Sequence, residues 1–556
     1  MICKLLRKRP ATPFSHPLPK EDTMGRHKQH KQLERWFREG KLTRREFINR
    51  MSALGLAAVM SPALLARPVQ ADTPKKGGRL VIGAAGGSTT DSLDPSTIPD
   101  TMPMHTNWSL RNNLVEIDAN GNPVPELAES WEASSDAAAW YFNIRKGVTF
   151  HNGKTLDAQD VIASINHHRG ENSKSAAKGI VDPIKDIKAD GKHRVVFYMN
   201  EGNADFPFIL SDYHLTIQPA DTQGAEFEKG IGTGGYMLEN WEPGVRALVK
   251  RNPDYWKAGR AHFDAVEILG IADESARTNA LKTGQVHAIN RCPTRTFHLL
   301  QKVDGVSVLQ ISGFKHFSLP MHVDKPPYTD NNVRLALKYA ADREQMVKNV
   351  LRGAGSVGND HPIAKIQRFY NSALPQRQYD PDKARFLMKK AGMLDHTFVL
   401  HASDAAFPGA VDTAVLLKES AARADIKIKV QLEPADGYWS NVWLVKPWCT
   451  SYWYGRATED WMFVSCYAPD AKWNETRWKH TQFNALLKQA RAELDNAKRR
   501  EMYYECQRLV RDEGGVIIPM YADLLLGTSD KLGHGKVAGN WELDGNRMAE
   551  RWWFKA

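Results

Sequence analysis

The chain lacks a hydrophobic run long enough for a typical membrane-spanning helix. Residues 51–66 carry no charge, but this mildly apolar stretch is only about 16 residues long and contains Gly55 and Pro62. A helix that crosses a bilayer needs about 20 apolar residues. We therefore expect no integral membrane protein, and an uncleaved N-terminal anchor is the alternative for this one stretch.

Cysteine is scarce, with five residues in 556. Cys3 lies in the N-terminal leader, and Cys506 stands at helical spacing from apolar neighbours, which predicts a buried thiol. The spacings of Cys292, Cys449 and Cys466 match no zinc pattern. One disulfide can form among these three in an oxidising compartment, and the sequence leaves its pairing open. We predict no metal site.

The formal net charge of the chain is +11, but almost none of this excess positive charge lies beyond the N-terminal residues. Residues 1–71 hold 15 lysines and arginines against 5 acidic residues, and the remainder holds 60 against 59. A nucleic-acid-binding protein carries its excess positive charge on the folded domain. This distribution argues against nucleic acid as a partner and assigns the basicity to a leader.

The leader has the three parts of an export signal. Arg44 and Arg45 resemble the pair of a twin-arginine signal, the uncharged stretch follows, and small residues precede a cleavage position after Ala71. No cysteine stands there to carry a lipid anchor, so we expect the mature protein to be free in the periplasm. Either Met1 or Met24 can be the start.

Strand-like and helix-like segments alternate along the rest of the chain, which predicts an α/β architecture. The strand-like runs are residues 79–84, 193–199, 247–250, 266–269 and 427–432. No internal repeat or low-complexity linker occurs, so we expect strands to join the domains instead of a flexible tether.

Several helices have recognisable ends. Asp157 precedes an apolar stripe and can cap a helix. Residues 332–352 are predicted to form one helix that ends at Gly353. Asp380 followed by Pro381 is a typical helix start.

Six stretches carry a resemblance to a known family. They are residues 114–132 (LVEIDANGNPVPELAESWE), 142–160 (FNIRKGVTFHNGKTLDAQD), 232–236 (GTGGY), 251–256 (RNPDYW), 325–342 (KPPYTDNNVRLALKYAAD) and 379–392 (YDPDKARFLMKKAG). In type and order they resemble motifs of the family 5 extracellular solute-binding proteins, the large peptide- and nickel-binding components of ABC importers. The resemblance covers essentially all of residues 75–556.

This resemblance implies an α/β, two-lobed, three-domain periplasmic binding protein fold, with a hinge and an interlobe ligand cleft. Domain I is expected to be discontinuous, at residues 72–110, 236–318 and 522–556. Domain II would comprise residues 111–235, and domain III, the second lobe, residues 319–521. The implied partners are a small-molecule ligand and the ABC transporter permease subunits. We expect a monomer with no cofactor and no catalytic residue.

Dipeptide-binding members resemble one another in holding the ligand carboxylate with an arginine and the amine with an aspartate. In the corresponding stretches of this sequence, the arginine position falls near Phe407, and the aspartate position falls at Arg456. Both anchors are therefore missing, and Arg456 favours a carboxylate or another anionic group. A shift of a few residues would exchange Arg456 for Asp460 and restore ordinary peptides as ligands.

Candidate ligands are acidic or N-blocked peptides, opine-like conjugates and carboxylate chelates. Pairing of Arg456 with Glu459 or Asp460 inside the protein is the structural alternative. Aromatic residues surround Arg456, and they suit sugar faces, apolar groups and flat cations, although each of them can also be core. The candidate ligand-binding residues are Arg456, Trp453, Tyr454, Phe407, Tyr438 and Trp439.

Two other functions share parts of this pattern. Carboxylates with abundant tryptophan also occur in secreted glycoside hydrolases, and a receptor on the same fold would signal instead of feeding a permease. The glycine-rich residues 232–235 are not followed by the Gly-Lys-Ser/Thr of a phosphate loop. No nucleophile elbow occurs either, and the motifs resemble those of a non-catalytic family. The resemblance therefore implies a binding protein of an ABC importer.

Overall fold

The computed structural model describes residues 74–556. Arg44, Arg45 and the cleavage position Ala71 lie outside the described residues, so the export signal stays a prediction. Within the described part of the chain, no helix combines the length and the apolar character that crossing a membrane requires.

The first group of elements is built on a seven-stranded mixed sheet. In spatial order its strands are β12 (Val306–Ile311), β19 (Leu524–Ser529), β11 (Ala288–Ile289), β1 (Arg79–Ala84), β10 (Ala265–Gly270), β9 (Arg246–Arg251) and β8 (Tyr236–Glu242). Strand β1 pairs in parallel with β10 and β11, and its Leu80 and Ile82 are fully buried. Its helices are α1 (Thr101–Leu110), α5 (Glu274–Lys282), α6 (Phe297–Leu300) and α15 (Met548–Arg551), and a short pair β20 (Leu532–Gly533) and β21 (Trp553–Phe554) completes it.

The second group is an antiparallel four-stranded sheet in the order β4 (Ala128–Ala133), β5 (Ala139–Ile144), β7 (Arg194–Met199) and β6 (Ile184–Ala189). It includes the hairpin β2 (Val115–Ile117) and β3 (Pro123–Pro125) and the helices α2 (Ala158–Asn166), α3 (Lys178–Val181) and α4 (Phe206–Ile209). Asp157 caps α2 in a capping box with Asp160, which confirms the prediction. The apolar face of α2 packs onto the sheet through Val161 and Ile165.

The third group contains a four-stranded sheet in the order β14 (Gly355–Val357), β18 (Val516–Ala522), β13 (His316–Pro320) and β17 (Ser451–Trp453). A parallel pair, β15 (Thr397–Ala402) and β16 (Lys427–Leu432), lies in the same group. Its helices are α7 (Asn331–Tyr339), α8 (Arg343–Asn349), α9 (Pro381–Lys390), α10 (Ala410–Ala422), α11 (Tyr438–Asn441), α12 (Glu459–Cys466), α13 (Thr481–Ala492) and α14 (Asn496–Glu513).

The chain passes twice between the first and the third sheet. Residues 312–315 lead from β12 to β13, and Asp523 alone separates β18 from β19. The two crossings are adjacent, because the Ala522 N–H donates to the Lys315 carbonyl at 2.9 Å. The α/β architecture is confirmed. The exact domain boundaries stay a prediction.

The single helix predicted over residues 332–352 is wrong. The segment forms two helices, α7 and α8, that are separated at Ala340–Asp342. The Asp342 carboxylate accepts the N–H of Gln345 at 3.1 Å and caps α8. An aspartate that bonds to the backbone ahead of it competes with a continuous helix, and the apolar period continued across the break and concealed it.

All four cysteines of residues 74–556 are buried and free. Cys506 is fully buried in the third group, as predicted. Cys292, Cys449 and Cys466 form no disulfide in this structure.

A buried charged cluster joins the C-terminal α15 to the start of the second group. The Lys257 Nζ lies 2.6 Å from Glu116, 2.7 Å from Glu126 and 3.0 Å from Glu550. Arg547 pairs with Glu126 at 2.8 Å. Burial alone would lower the pKa of Lys257, but the neighbouring carboxylates raise it above its usual value. We call these five residues the Lys257 cluster.

Candidate ligand-binding cleft

A cleft of about 1090 Å3 lies where the three groups meet. The first group contributes Asp100 and Glu542, the second group Tyr213, and the third group Arg456 and Trp461. Small-molecule sites typically measure ~300–1,000 Å3, so this cleft has room for a ligand of peptide size.

The loop after β17 brings Arg456 to the cleft. Gly455 has a φ of +75°, which favours glycine, and a side chain at this position would collide with Phe314. The close approach of Gly455 to Phe314 holds the loop against residues 312–315, and the next residue, Arg456, lines the cleft.

Arg456 has aromatic neighbours and, within the described part of the chain, no acidic partner. Its guanidinium carbon lies 5.5 Å from the centre of the Trp453 ring and 5.8 Å from that of Trp461. Nη1 donates to the Gly455 carbonyl at 2.7 Å. Burial lowers the pKa of Arg456, and no carboxylate within residues 74–556 lies within ion-pair distance of it.

The proposed internal partners of Arg456 are engaged elsewhere. Glu459 accepts the N–H of Phe369 at 2.7 Å, and Asp460 lies 3.1 Å from Nε of Arg491. Asp460 also lines the cleft, and burial raises its pKa to about 6 in spite of Arg491. The internal pairing of Arg456 is therefore not seen.

The wall contributed by the second group is aromatic and acidic. The Tyr213 ring meets Trp541 edge to face at 5.6 Å and Trp108 at 6.2 Å, and burial raises the pKa of its hydroxyl. Asp212 Oδ1 accepts the backbone N–H of His214 at 3.0 Å and lies 2.6 Å from Nδ1 of that ring. Asp212 and Tyr213 line the same cleft as Arg456.

At the first group's side of the cleft, Arg291 holds two carboxylates. It lies 2.5 Å from Asp100 and 2.8 Å from Glu542. Arg291 has a φ of 49°, and residues 543–546, directly after Glu542, all have positive φ. Strained backbone of this kind persists where the surrounding contacts determine it, and it is frequent at ligand sites.

Lys315 is a cleft residue that the sequence analysis missed. Its Nζ lies 5.1 Å from the ring centre of Tyr454, 5.7 Å from that of Phe317 and 5.8 Å from that of Tyr452. Burial lowers its pKa. A lone lysine between two strands has no sequence pattern that sets it apart from a solvated one.

Some of the predicted site residues line the cleft, and others are buried in the core. Tyr454 lines the cleft and is 44% exposed. Phe407 is buried and stacks on Phe317 at 3.8 Å, and the buried Tyr438 hydroxyl lies 2.8 Å from the Thr450 carbonyl. Phe407 and Tyr438 were expected to line the cleft, but both side chains pack in the core and are absent from its lining.

Trp453 and Trp439 also lie outside the lining. Trp453 is buried in the core and contributes only the ring beneath Arg456. Trp439 is 41% exposed and touches the cleft residue Tyr452 edge to face at 5.7 Å. The ligand-binding role of Arg456 and Tyr454 stays a prediction.

Three buried carboxylates outside the cleft have metal-ligand spacing. Glu116, Glu126 and Glu550 point at one another. The Lys257 ammonium lies within 3.0 Å of each of them, so this position already holds a positive charge and does not fit a metal ion.

The model of the family described as Bacterial extracellular solute-binding proteins, family 5 Middle, matches residues 122–475, more than half of the chain. Di/tripeptide-binding protein 1 of Pseudomonas aeruginosa (strain UCBPP-PA14) is 25% identical over 444 residues, which are 72% of this chain and 81% of the relative. Glutathione-binding protein GsiB of Salmonella paratyphi A is 25% identical over 506 residues, 86% of this chain and 94% of the relative.

Among solved structures, HbpA2 from Haemophilus parasuis superposes with a TM-score of 0.76 at 21% identity, over 84% of this chain and 99% of that one. This likeness shows the two-lobed binding-protein fold. The relatives are named as binding proteins, and the family serves transport and is not one of enzymes. The chain belongs to the family 5 bacterial extracellular solute-binding proteins.

Proposed function

We propose that this protein is the periplasmic substrate-binding component of an ABC importer for a peptide-like solute that carries a carboxylate or another anionic group. The solute binds in the cleft, closure of the lobes traps it, and the closed complex delivers it to the permease subunits. The observation that carries the ligand assignment is Arg456, a half-buried cation in the cleft without an acidic partner in residues 74–556.

A partly desolvated guanidinium is unfavourable unless an anion compensates it. The indole rings of Trp453 and Trp461 compensate in part, because a cation is attracted to an aromatic face. Those rings accept no strong hydrogen bond from the guanidinium. A ligand carboxylate would supply two acceptors in the planar arrangement that arginine matches.

The geometry disfavours a plain zwitterionic dipeptide. Phe407 is in the core and offers no carboxylate anchor. Two acids of the cleft lining are engaged, Asp460 by Arg491 and Asp212 by His214. A ligand amine would have to displace one of these contacts. A ligand anion can pair with Arg456 directly, because no carboxylate of residues 74–556 occupies that position.

The relatives support a peptide-like ligand class. They are named for dipeptides and tripeptides and for glutathione. A glycoside hydrolase is not favoured, because the family is one of binding proteins. Neighbouring genes for two permeases and two ATPases would favour import over signalling.

The proposed domains give the closure mechanism. Residues 72–110, 236–318 and 522–556 would form domain I, and residues 111–235 and 319–521 domains II and III. The crossings at residues 312–315 and Asp523 lie near the proposed limits of domain III, so they are the proposed hinge. A confirmed ligand should make the protein more compact in X-ray scattering, and an unchanged radius of gyration would contradict closure.

We further propose export by the twin-arginine route, with cleavage after Ala71. Replacing Arg44 and Arg45 with lysine should stop export while the protein accumulates in the cytoplasm. Unchanged periplasmic levels would contradict this assignment.

Calorimetry with two panels tests the ligand assignment, one of free dipeptides and one of acidic or N-acetylated dipeptides. The second panel should bind more tightly, and Arg456→Ala should weaken it by about 30-fold or more, since losing one partner of a buried charge pair costs about 2–5 kcal/mol. Arg295→Ala, at an exposed position outside the cleft lining, is the matched control. Tight dipeptide binding that survives Arg456→Ala would refute the assignment.

A further inference from the structure

We propose that Lys315 is a second anion anchor in the same cleft, so that the preferred ligand carries two anionic groups. The inference rests on the proposed function and narrows its substrate class to dianions, such as a blocked acidic peptide with a side-chain carboxylate and a terminal one.

The position of Lys315 ties it to the lobe crossing. It is the last residue of the segment 312–315, and its carbonyl accepts the N–H of Ala522 at 2.9 Å, just before the second crossing at Asp523. The preceding residue, Phe314, packs against Gly455. The backbone that carries Lys315 is thus held beside the loop that carries Arg456, and both side chains line one cleft.

Three aromatic rings surround the Lys315 ammonium, those of Tyr454, Phe317 and Tyr452, at 5.1 to 5.8 Å. Their faces attract the positive charge. The protein's own lysine therefore occupies this cage, and a ligand cation would be repelled from it. The rings fix the direction of the ammonium, which is what an anchor requires.

The side-chain hydrogen-bonding capacity of Lys315 is not used by the residues that the structure describes. An ammonium has three donors, and within residues 74–556 Nζ has no acceptor in hydrogen-bond range and no carboxylate within 4.0 Å. Asp100 and Glu542 are the acids on this side, and both are bound by Arg291. Glu542 attracts Lys315 only at longer range. The positive charge of Lys315 is therefore partly compensated, whereas its three N–H donors have no acceptor among the described residues.

Every other charged side chain of the lining has an ionic or imidazole partner among the described residues. Asp205 pairs with Arg499 at 2.8 Å, Asp460 with Arg491, and Asp212 with His214. The remaining paired side chains are Asp100, Glu201, Arg291, Glu542 and Arg547. Arg456 and Lys315 are the two exceptions, and both are cations.

The two cations have different aromatic neighbours. The Arg456 guanidinium lies over the rings of Trp453 and Trp461, and the Lys315 ammonium lies over those of Tyr454, Phe317 and Tyr452. The inference therefore assigns one anionic group of the ligand to each cation.

Paired probes test this inference. Each pair consists of an N-acetylated dipeptide with glutamate or aspartate and the same peptide with glutamine or asparagine, so that its members differ by one carboxylate. The wild-type protein should bind the dianion of the best pair at least tenfold more tightly in calorimetry. Lys315→Met should reduce this ratio to about one and leave the affinity for the amide member within twofold.

Further variants separate charge from packing. Lys315→Arg should retain the preference, and Lys389→Met, on an exposed face of α9, should behave as wild type. If Lys315→Met does not fold, Lys315→Gln replaces it, and far-ultraviolet circular dichroism checks both.

The outcomes distinguish the two proposals. Equal affinity for both members of every pair, with binding that Arg456→Ala weakens, overturns the role of Lys315 and leaves the proposed function standing. A preference for dianions that survives Lys315→Met also overturns it. Binding of free dipeptides alone, or of no probe at all, overturns the anionic ligand class and the inference with it.

Discussion

The Lys257 cluster and the ligand-binding cleft use the same residue types in opposite ways. In the cluster, Lys257 and Arg547 are surrounded by Glu116, Glu126 and Glu550 at hydrogen-bonding distances. In the cleft, Lys315 and Arg456 have aromatic faces around them and no carboxylate within ion-pair distance in residues 74–556.

The difference follows from what each region does. A charge that is permanently buried is tolerated when fixed partners and hydrogen bonds replace its lost hydration. A cation in a binding cleft lacks such fixed partners, and a bound ligand supplies them. Unpaired cations in a cleft therefore indicate a ligand of opposite sign, whereas paired ones indicate structure.

The largest expected effect is at the cluster. Lys257→Met leaves three buried carboxylates without their common cation and should lower the free energy of unfolding by about 3–5 kcal/mol. Urea denaturation, with Lys389→Met as the exposed control, measures it. A loss below about 1 kcal/mol would show that the cluster contributes little to stability.

Ligand binding should give the two cleft cations the anionic partners that the cations of the Lys257 cluster already have, and so stabilise the folded protein. A ligand that binds only the folded state at a hundredfold excess over its dissociation constant raises the free energy of unfolding by about 2.7 kcal/mol. Denaturation with and without the best dianionic probe measures the change. Stabilisation by the same probe that persists in Arg456→Ala would break the comparison.

Asp460 is an intermediate case, since it is paired with Arg491 and yet burial raises its pKa from 3.8 to about 6. The folded state holds this proton more tightly than the unfolded state, so its stabilising contribution is complete below about pH 4 and is lost as the pH rises through 6. The free energy of unfolding of Asp460→Asn, relative to that of the wild type, should therefore increase by about 2 kcal/mol between pH 4 and pH 7.

Urea denaturation at several pH values measures the effect of Asp460→Asn. Asp436→Asn, in an exposed loop, is the matched control. A constant difference between wild type and Asp460→Asn across this range would show that Arg491 already compensates the buried charge.

The smallest effect is expected for the cleft cations without ligand. Arg456→Met and Lys315→Met leave no carboxylate unpaired, so each should change the free energy of unfolding by less than about 1 kcal/mol. Urea denaturation of the ligand-free variants measures this. A loss as large as that of Lys257→Met would mean that these cations are structural.

Local elements of the fold were largely predictable. The cap at Asp157, the start at Asp380 and Pro381, and the strand β1 all appear where the sequence places them. The prediction failed at residues 340–342, because the apolar period continued through a break that one aspartate side chain creates. Periodicity describes the buried face of a segment and does not describe its backbone hydrogen bonds.

The site was less predictable than the fold. The alignment indicated Arg456, and the structure brings it to the cleft. It also indicated Phe407, and the aromatic surroundings of Arg456 indicated Tyr438, but the rings of both are buried in the core. An aromatic residue has the same appearance in a sequence whether it packs in a core or faces a ligand, since both environments favour apolar surface.

The sequence alone determined the family, the interleaving of strands and helices, and the sign of the charge at position 456, because motifs, periodicity and residue type are local properties. Only the tertiary structure decided which charges are paired. No local pattern around Lys257 or Lys315 shows which of the two is paired, and the partners of Lys257 come from residues 116, 126 and 550. Pairing depends on distances of a few ångströms between residues far apart in the chain, and those distances exist only after folding.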